Sequence, residues 1–423
     1  MAQLSDDCFA FGGALMSVDE ALALLAARVS PVAESETVPL LDALDRILAA
    51  DLVATRDVPP HDNSAVDGYA VYFDDLEQER ETRLPVRGRA AAGHPLPHPQ
   101  RRGEAVRIFT GAPMPAGEAA AEGPDTVMMQ EDCRQEGEAV VCKPGIRRGA
   151  NRRKAGEDLR ASAVVLQAGQ RLRPQDLGAA ASLGLTALGV RRPLSVALFS
   201  TGDELREPGS AAPAGCVYDA NRFTLAALLR RLGCRIDDLG ILPDRRDAIE
   251  KALDAAADRH DALITSGGMS TGEEDHVKAA VEALGSLHFW RLAIKPGRPL
   301  ALGQIRGKAF IGLPGNPVAM MVTFLRLARP VLLRLMGARE TAPVLYRVLA
   351  GFDHKKKEGR REWVRARLAA DAEGRLVARK FPRDGAGILS SMIESDGLVE
   401  LPETVTHLRS GSMVDFLPFS EVS

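Results

Sequence analysis

Residues 261–278 read DALITSGGMSTGEEDHVK. The apolar run at 262–264 predicts a short buried strand. It breaks at Ser266-Gly267-Gly268, where a glycine pair takes positive φ and brings bare backbone close to a ligand. Glu273, Glu274 and Asp275 follow, and then Val277, Val281 and Leu284 share one side of a helix. A glycine turn between a strand and a helix start presents free N–H groups that cradle anions. Carboxylates beside such a cradle repel a phosphate unless a cation lies between them. The stretch therefore predicts a phosphorylated ligand held with a divalent metal.

The same strand–turn–helix alternation continues on both sides. LSVALFS (194–200) leads to the helical ANRFTLAALLRRLG (220–233), and CRIDDLGIL (234–242) to DRRDAIEKALDAAADRH (244–260). Beyond the opening stretch come the strands LHFWRLAI (287–294), PLALGQI (299–305) and KAFIGL (308–313). A long helix, NPVAMMVTFLRLARPVLLRLMG (316–337), closes the set. Alternating strands and helices predict a doubly wound, mostly parallel sheet with right-handed crossovers, over residues 191–337.

Further out the character changes. SVDEALALLAARV (17–29) starts with a capping box, Ser17 and Glu20, and predicts a helix. A second amphipathic stretch within 37–51 is closed by Pro59-Pro60. Residues 58–144 are rich in glycine and proline with short apolar runs, a small β-rich block. Composition suggests that 17–57 and 145–190 form one linker domain into which 58–144 is inserted. Residues 338–423 return to short strands with turn signals, a small β domain of barrel-like type. The fold class expected is multidomain α/β plus β.

At 423 residues the chain exceeds a single core. A net charge of −3 supplies no field for nucleic acid or membrane, and 4% aromatic residues argue against base-stacking platforms. No apolar run approaches the roughly 20 residues that span a bilayer. The N-terminus, MAQLSDDCFAFGG, has acidic residues and no cationic start to an apolar core, unlike a secretory signal. The five cysteines, odd in number and without a CxxC, fit a reduced cytoplasmic protein.

Ligands bind at the C-terminal edge of open α/β sheets. The loops there carry Thr201-Gly202-Asp203-Glu204, Pro243-Asp244, Ser266-Gly267-Gly268 with Asp275, Lys295-Pro296-Gly297-Arg298 and Pro314-Gly315-Asn316-Pro317. Asp244 and Asp275, supported by Glu204, are hard-oxygen ligands suited to Mg²⁺. Lys295 would offset charge developing in phosphoryl or phosphoanhydride cleavage, and Arg298 would grip an oxyanion. The helix starting near Asn316 would hold further oxygens. Each loop has a plainer reading. Asp244 serves equally well as an N-cap, Glu273 and Glu274 as first-turn charges, Pro317 as a helix starter, and a lone Lys295 as surface. His61 and His276 read as hydrogen-bonded structure. The convergence of five loops favours a site.

Three segments stand out elsewhere: HDNSAVDGYA (61–70), FTGAPMP (109–115) and NRRK with Glu157-Asp158. Taken alone, the first is turn chemistry, the second a rigid loop with one hydroxyl, and the third a solvated face or an anion clamp.

Together DNSAVDGYA, TGAPMP, RRKAGEDL, FSTGDEL, YDANR, SGGMSTGEEDH, AIKPGRPL and GLPGNPV resemble the molybdopterin molybdenumtransferases, in order and spacing, from about Ser17 to Phe416. The resemblance implies a homodimer of elongated four-domain subunits. Its site would lie between the α/β domain of one subunit and the inserted domain of the other. It implies Mg²⁺-dependent conversion of adenylylated molybdopterin and molybdate to molybdenum cofactor, with release of AMP. The positions implied are Asp67, Thr110, Asp158, Glu204, Asp244, Asp275, Lys295, Pro314 and Pro317. Arg291 and Arg298 stand where the family often has lysine, Arg365 matches a family arginine, and Ala386 falls where a serine is expected. A molybdopterin adenylyltransferase, whose fold resembles residues 191–337, is the first alternative and also a possible partner. A gephyrin-like anchoring protein is the second; no long disordered linker or second catalytic domain supports it.

Overall fold

The computed structural model describes residues 15–118, 122–267, 276–297 and 299–422. Gly268, Met269, Thr271, Glu273, Glu274, Asp275 and Arg298 lie outside the described residues.

The central sheet has six strands in the order Arg235–Leu242, Ser195–Thr201, Ala262–Ser266, Lys308–Leu313, Pro299–Ile305, Gly285–Arg291. The first four are parallel; Pro299–Ile305 runs antiparallel to both of its neighbours. Helices Arg246–Ala257 and His276–Leu284 pack on one face through Ile249, Leu253, Val277 and Val281. Ala220–Leu232 and the helical run from Pro317 to Leu335 cover the other face through Leu225, Leu229, Val322 and Leu332. The expected long helix is continuous but widens over Phe324–Ala328, just before Pro330. Proline has no N–H to donate to the preceding turn, and a wider turn accommodates it.

Two sequence expectations differ from the structure. The stretch within 37–51 is no second helix. Ser35–Pro39 is a strand paired with Ala187–Arg191, followed by one tight turn, Leu40–Ala43. Its apolar side chains face a small core with Leu166, Leu172 and Val190, so tertiary pairing overrides the helical pattern. LHFWRLAI is not one strand either. It breaks after Arg291, and Ile294–Lys295 pairs in parallel with Arg361 and Glu362 of the C-terminal domain.

The C-terminal strands Arg361–Ala370, Leu376–Lys380, Tyr346–Ala350, Met413–Pro418 and Gly397–Leu401 close into a five-stranded barrel, because the first also pairs with the last. The inserted block builds a separate six-stranded sheet with cores around Tyr69, Met128 and Val140 and around Val106, Ile108 and Val127. Among the described residues no helix is long and apolar enough to cross a membrane.

Candidate active site

The strand Ser195–Thr201 delivers Thr201, whose Oγ1 donates to Asp244 Oδ1 at 3.1 Å. Asp244 is half-buried and does not cap the next helix, Arg246–Ala257, whose N-cap is Arg245 without a side-chain bond. That removes the capping explanation and leaves a hydroxyl–carboxylate oxygen pair at the strand end. Glu204 is exposed; its carboxylate folds back over Gly202, where an added Cβ would meet Oε2 at 2.7 Å.

Gly267 has φ 89°, and its N–H donates to the Leu313 carbonyl at 3.1 Å. This left-handed conformation suits glycine. Gly315 closes on it: a Cβ there would lie 3.6 Å from Gly267 Cα. The Gly315 carbonyl in turn accepts Asn221 Nδ2 at 2.7 Å. Asn221 belongs to the first turn of Ala220–Leu232, where Asp219 caps the Arg222 N–H and buried Arg222 bonds Asp219 at 2.9 Å and Glu207 at 2.6 Å. Ser266 is buried, and its hydroxyl has no hydrogen-bond partner among the described residues. Three strand ends thus meet as a backbone cradle with a hydroxyl and carboxylates at its rim.

Beside the cradle, Pro314, Gly315, Asn316 and Pro317 lead into a helix that Asn316 starts without a side-chain cap. Its first turn meets the barrel, where Val318 N–H donates to the Ala386 carbonyl at 2.9 Å. A cleft of about 220 Å³ opens at this seam, walled by Lys295, Gly297, Glu362, Arg365, Lys380 and Ala386. Lys295 Nζ donates to Glu362 at 2.6 Å. Arg365 donates to Ser391 Oγ at 3.1 Å and to the carbonyls of Arg383 and Gly385 at 3.2 and 3.3 Å. Burial lowers the pKa of its guanidinium, opposed by Asp384 and Glu362. Arg291 is exposed at the end of its strand.

Asp67 and Thr110 form a second cluster in the inserted block. Asp67 Oδ1 accepts both the N–H and the hydroxyl of Thr110 at 2.8 Å, and those bonds, with Arg107 nearby, lower its carboxyl pKa. Asp158 is exposed in a turn, its backbone N–H on the Val58 carbonyl. The described bonds of these three residues stay within the N-terminal half of the chain. The structure therefore brings together Glu204, Asp244, Ser266, Gly267 and residues 314–317, sets Lys295 with Arg365 beside them, and leaves Asp67, Thr110 and Asp158 apart. Sequence reasoning passed over Thr201 as a bonding partner, Asn221 and Glu362. Asn221 lies within the quoted YDANR; Glu362 shows only as a carboxylate between Arg361 and Trp363. Among the described residues no three His, Cys, Asp or Glu side chains gather as a metal site.

A cradle at the C-terminal edge of an α/β sheet, joined to a cationic cleft, defines a multidomain protein that handles an anionic ligand. Three family models match in succession: "MoeA N-terminal region (domain I and II)" over residues 16–184, "Probable molybdopterin binding domain" over 197–334 and "MoeA C-terminal region (domain IV)" over 347–419. The molybdopterin molybdenumtransferase of Haemophilus influenzae is 36% identical over 96% of this chain and 100% of its own length. That of Synechococcus elongatus is 35% identical over 95% and 99%. The crystal structure of a molybdopterin biosynthesis moeA protein from Pyrococcus horikoshii superposes with a TM-score of 0.81 at 28% identity, over 96% of this chain and 100% of that one. The chain belongs to the molybdopterin molybdenumtransferase family, enzymes of molybdenum cofactor biosynthesis.

Proposed function

We propose that this enzyme converts adenylylated molybdopterin and molybdate to molybdenum cofactor, releasing AMP, with Mg²⁺ as cofactor and as a homodimer. The observation that carries this reading is the meeting of Thr201–Asp244, Gly267 and Gly315 at one sheet edge, next to the Lys295–Arg365 cleft. The cradle offers phosphate oxygens a close approach at Gly267 and Gly315 and, as a donor, the Ser266 hydroxyl, partnerless among the described residues. The cleft supplies an ammonium and a guanidinium for an oxyanion. The buried Thr201 hydroxyl and the half-buried Asp244 carboxylate are hard donors of the kind Mg²⁺ takes, and exposed Glu204 adds a second carboxylate. Bound there, Mg²⁺ would supply charge neutralisation at the phosphoanhydride. Asp67 and Thr110 would complete the site from the partner subunit.

The test is direct. Purified protein given adenylylated molybdopterin, molybdate and Mg²⁺ should release AMP in step with cofactor that reactivates a cofactor-free molybdoenzyme. If it instead forms adenylylated molybdopterin from molybdopterin and ATP, the adenylyltransferase reading takes its place.

A further inference from the structure

We propose that Glu362, oriented by His354, is the positioning residue that fixes the Lys295 ammonium at the cleft. The inference rests on the role given to Lys295 above. It starts from backbone register. The two-residue strand Ile294–Lys295 pairs in parallel with Arg361 and Glu362, so Lys295 and Glu362 are direct partners on neighbouring strands. Glu362 is 3% exposed, whereas the Lys295 side chain is 44% exposed. A half-exposed lysine ordinarily samples many rotamers. Here its nitrogen is tied at 2.6 Å to a buried carboxylate oxygen.

The same oxygen, Glu362 Oε1, lies 3.0 Å from His354 Nε2. The protonation of that ring follows from its other neighbour. Lys380 Nζ stands 3.5 Å from His354 Nδ1 and is paired with Asp384 at 3.1 Å. An ammonium donates and never accepts. Nδ1 is therefore the bare nitrogen, and Nε2 carries the hydrogen that it donates to Glu362. Every contact in the set then joins a donor to an acceptor: Lys380 gives to Asp384 and to His354, while His354 and Lys295 both give to Glu362. Arg360 lies 3.5 Å from the other oxygen, Oε2. His354 is itself buried, so it holds the carboxylate from the C-terminal domain while Lys295 meets solvent. A buried carboxylate demands charged or hydrogen-bonding partners. Lys295 is the one of them delivered by the α/β domain, and Glu362 thereby couples the barrel to the cleft.

The full chain serves for the test. At pH 7 a brief pulse of an N-hydroxysuccinimide acetate ester labels lysines, and peptide mass spectrometry scores Lys295 against exposed Lys251. In Glu362→Gln the Lys295 amine should label several-fold faster, because it has lost its anion. His354→Phe keeps the carboxylate and should shift labelling the same way by a smaller factor. With molybdate as the varied substrate, KM should rise about tenfold in Glu362→Gln with a smaller fall in kcat, and Glu362→Asp should recover part of it. Lys295 labelling at the unaltered rate in both Glu362→Gln and His354→Phe overturns the proposal. Absence of turnover in the unaltered enzyme counts against the proposed reaction, and the labelling rates still decide the role of Glu362.

Discussion

Asp67 shows how much one side chain's setting determines. A backbone N–H and a hydroxyl from the same threonine converge on one carboxylate oxygen. Both stabilise the ionised form, so the carboxyl is held below its ordinary value. The sign follows: a function that needs the Asp67 charge persists as pH falls through the usual carboxylate range, and is lost only on passing the lowered pKa. Thr110→Val removes the hydroxyl and keeps the N–H. The Asp67 midpoint, followed by carbon-13 carboxyl NMR, should then move up without reaching the unperturbed value. An unmoved midpoint would assign the depression to the N–H and Arg107 alone. Asp67 and Thr110 are readable as polar positions from DNSAVDGYA and TGAPMP, yet their mutual bond joins residues 43 apart in the chain, and sequence does not display it.

At the scale of elements, the helix Ala220–Leu232 illustrates what patterning reveals and what it hides. Its apolar face, Leu225, Leu228, Leu229 and Leu232, repeats at helical spacing, and Gly233 ends it with φ 94°. Those features are local and hence legible. The anchor of its first turn is not, because Arg222 draws Glu207, Asp219 and Asp238 from three segments. Arg222 and Asp219 are almost fully buried, so Arg222→Met would leave the Asp219 carboxylate without its cation. Removing one partner of a buried pair costs about 3 kcal/mol or more. Urea unfolding followed by the fluorescence of Trp290 and Trp363 should show an early transition of that size; a loss near zero would mean that water solvates Asp219 instead. The same distinction explains the other misses. The strand at 35–39 and the break in LHFWRLAI are set by distant partners, Val190 opposite Glu36 and Glu362 opposite Lys295, the latter 67 residues away. Local propensity yields to such pairings.

Across the whole molecule, the packing divides the candidate site. One continuous core runs from Val18 and Leu25 through the α/β sheet to Trp363, Leu398 and Leu417 of the barrel. Arg361 adds a tie from the barrel to Asp19, at 2.7 Å, and to Glu400 at 3.1 Å. The cradle and the cleft therefore move as one unit. The inserted block has cores of its own, and Asp67 and Thr110 bond within it. If each site takes Asp67 from one subunit and Asp244 from the other, the two defects can complement. Asp67→Asn and Asp244→Asn should each be inactive alone. When the two are unfolded, mixed in equal amounts and refolded, half of the dimers are mixed, and each of those carries one site with neither substitution. Activity should return to about a quarter of the unaltered level, as the statistics of a symmetric dimer require. Static light scattering should give twice the 45.3 kDa chain mass for both variants and for the mixture. Dimers that form but recover no activity would place Asp67 and Asp244 in the same subunit's site, and a monomer mass would remove the shared site altogether.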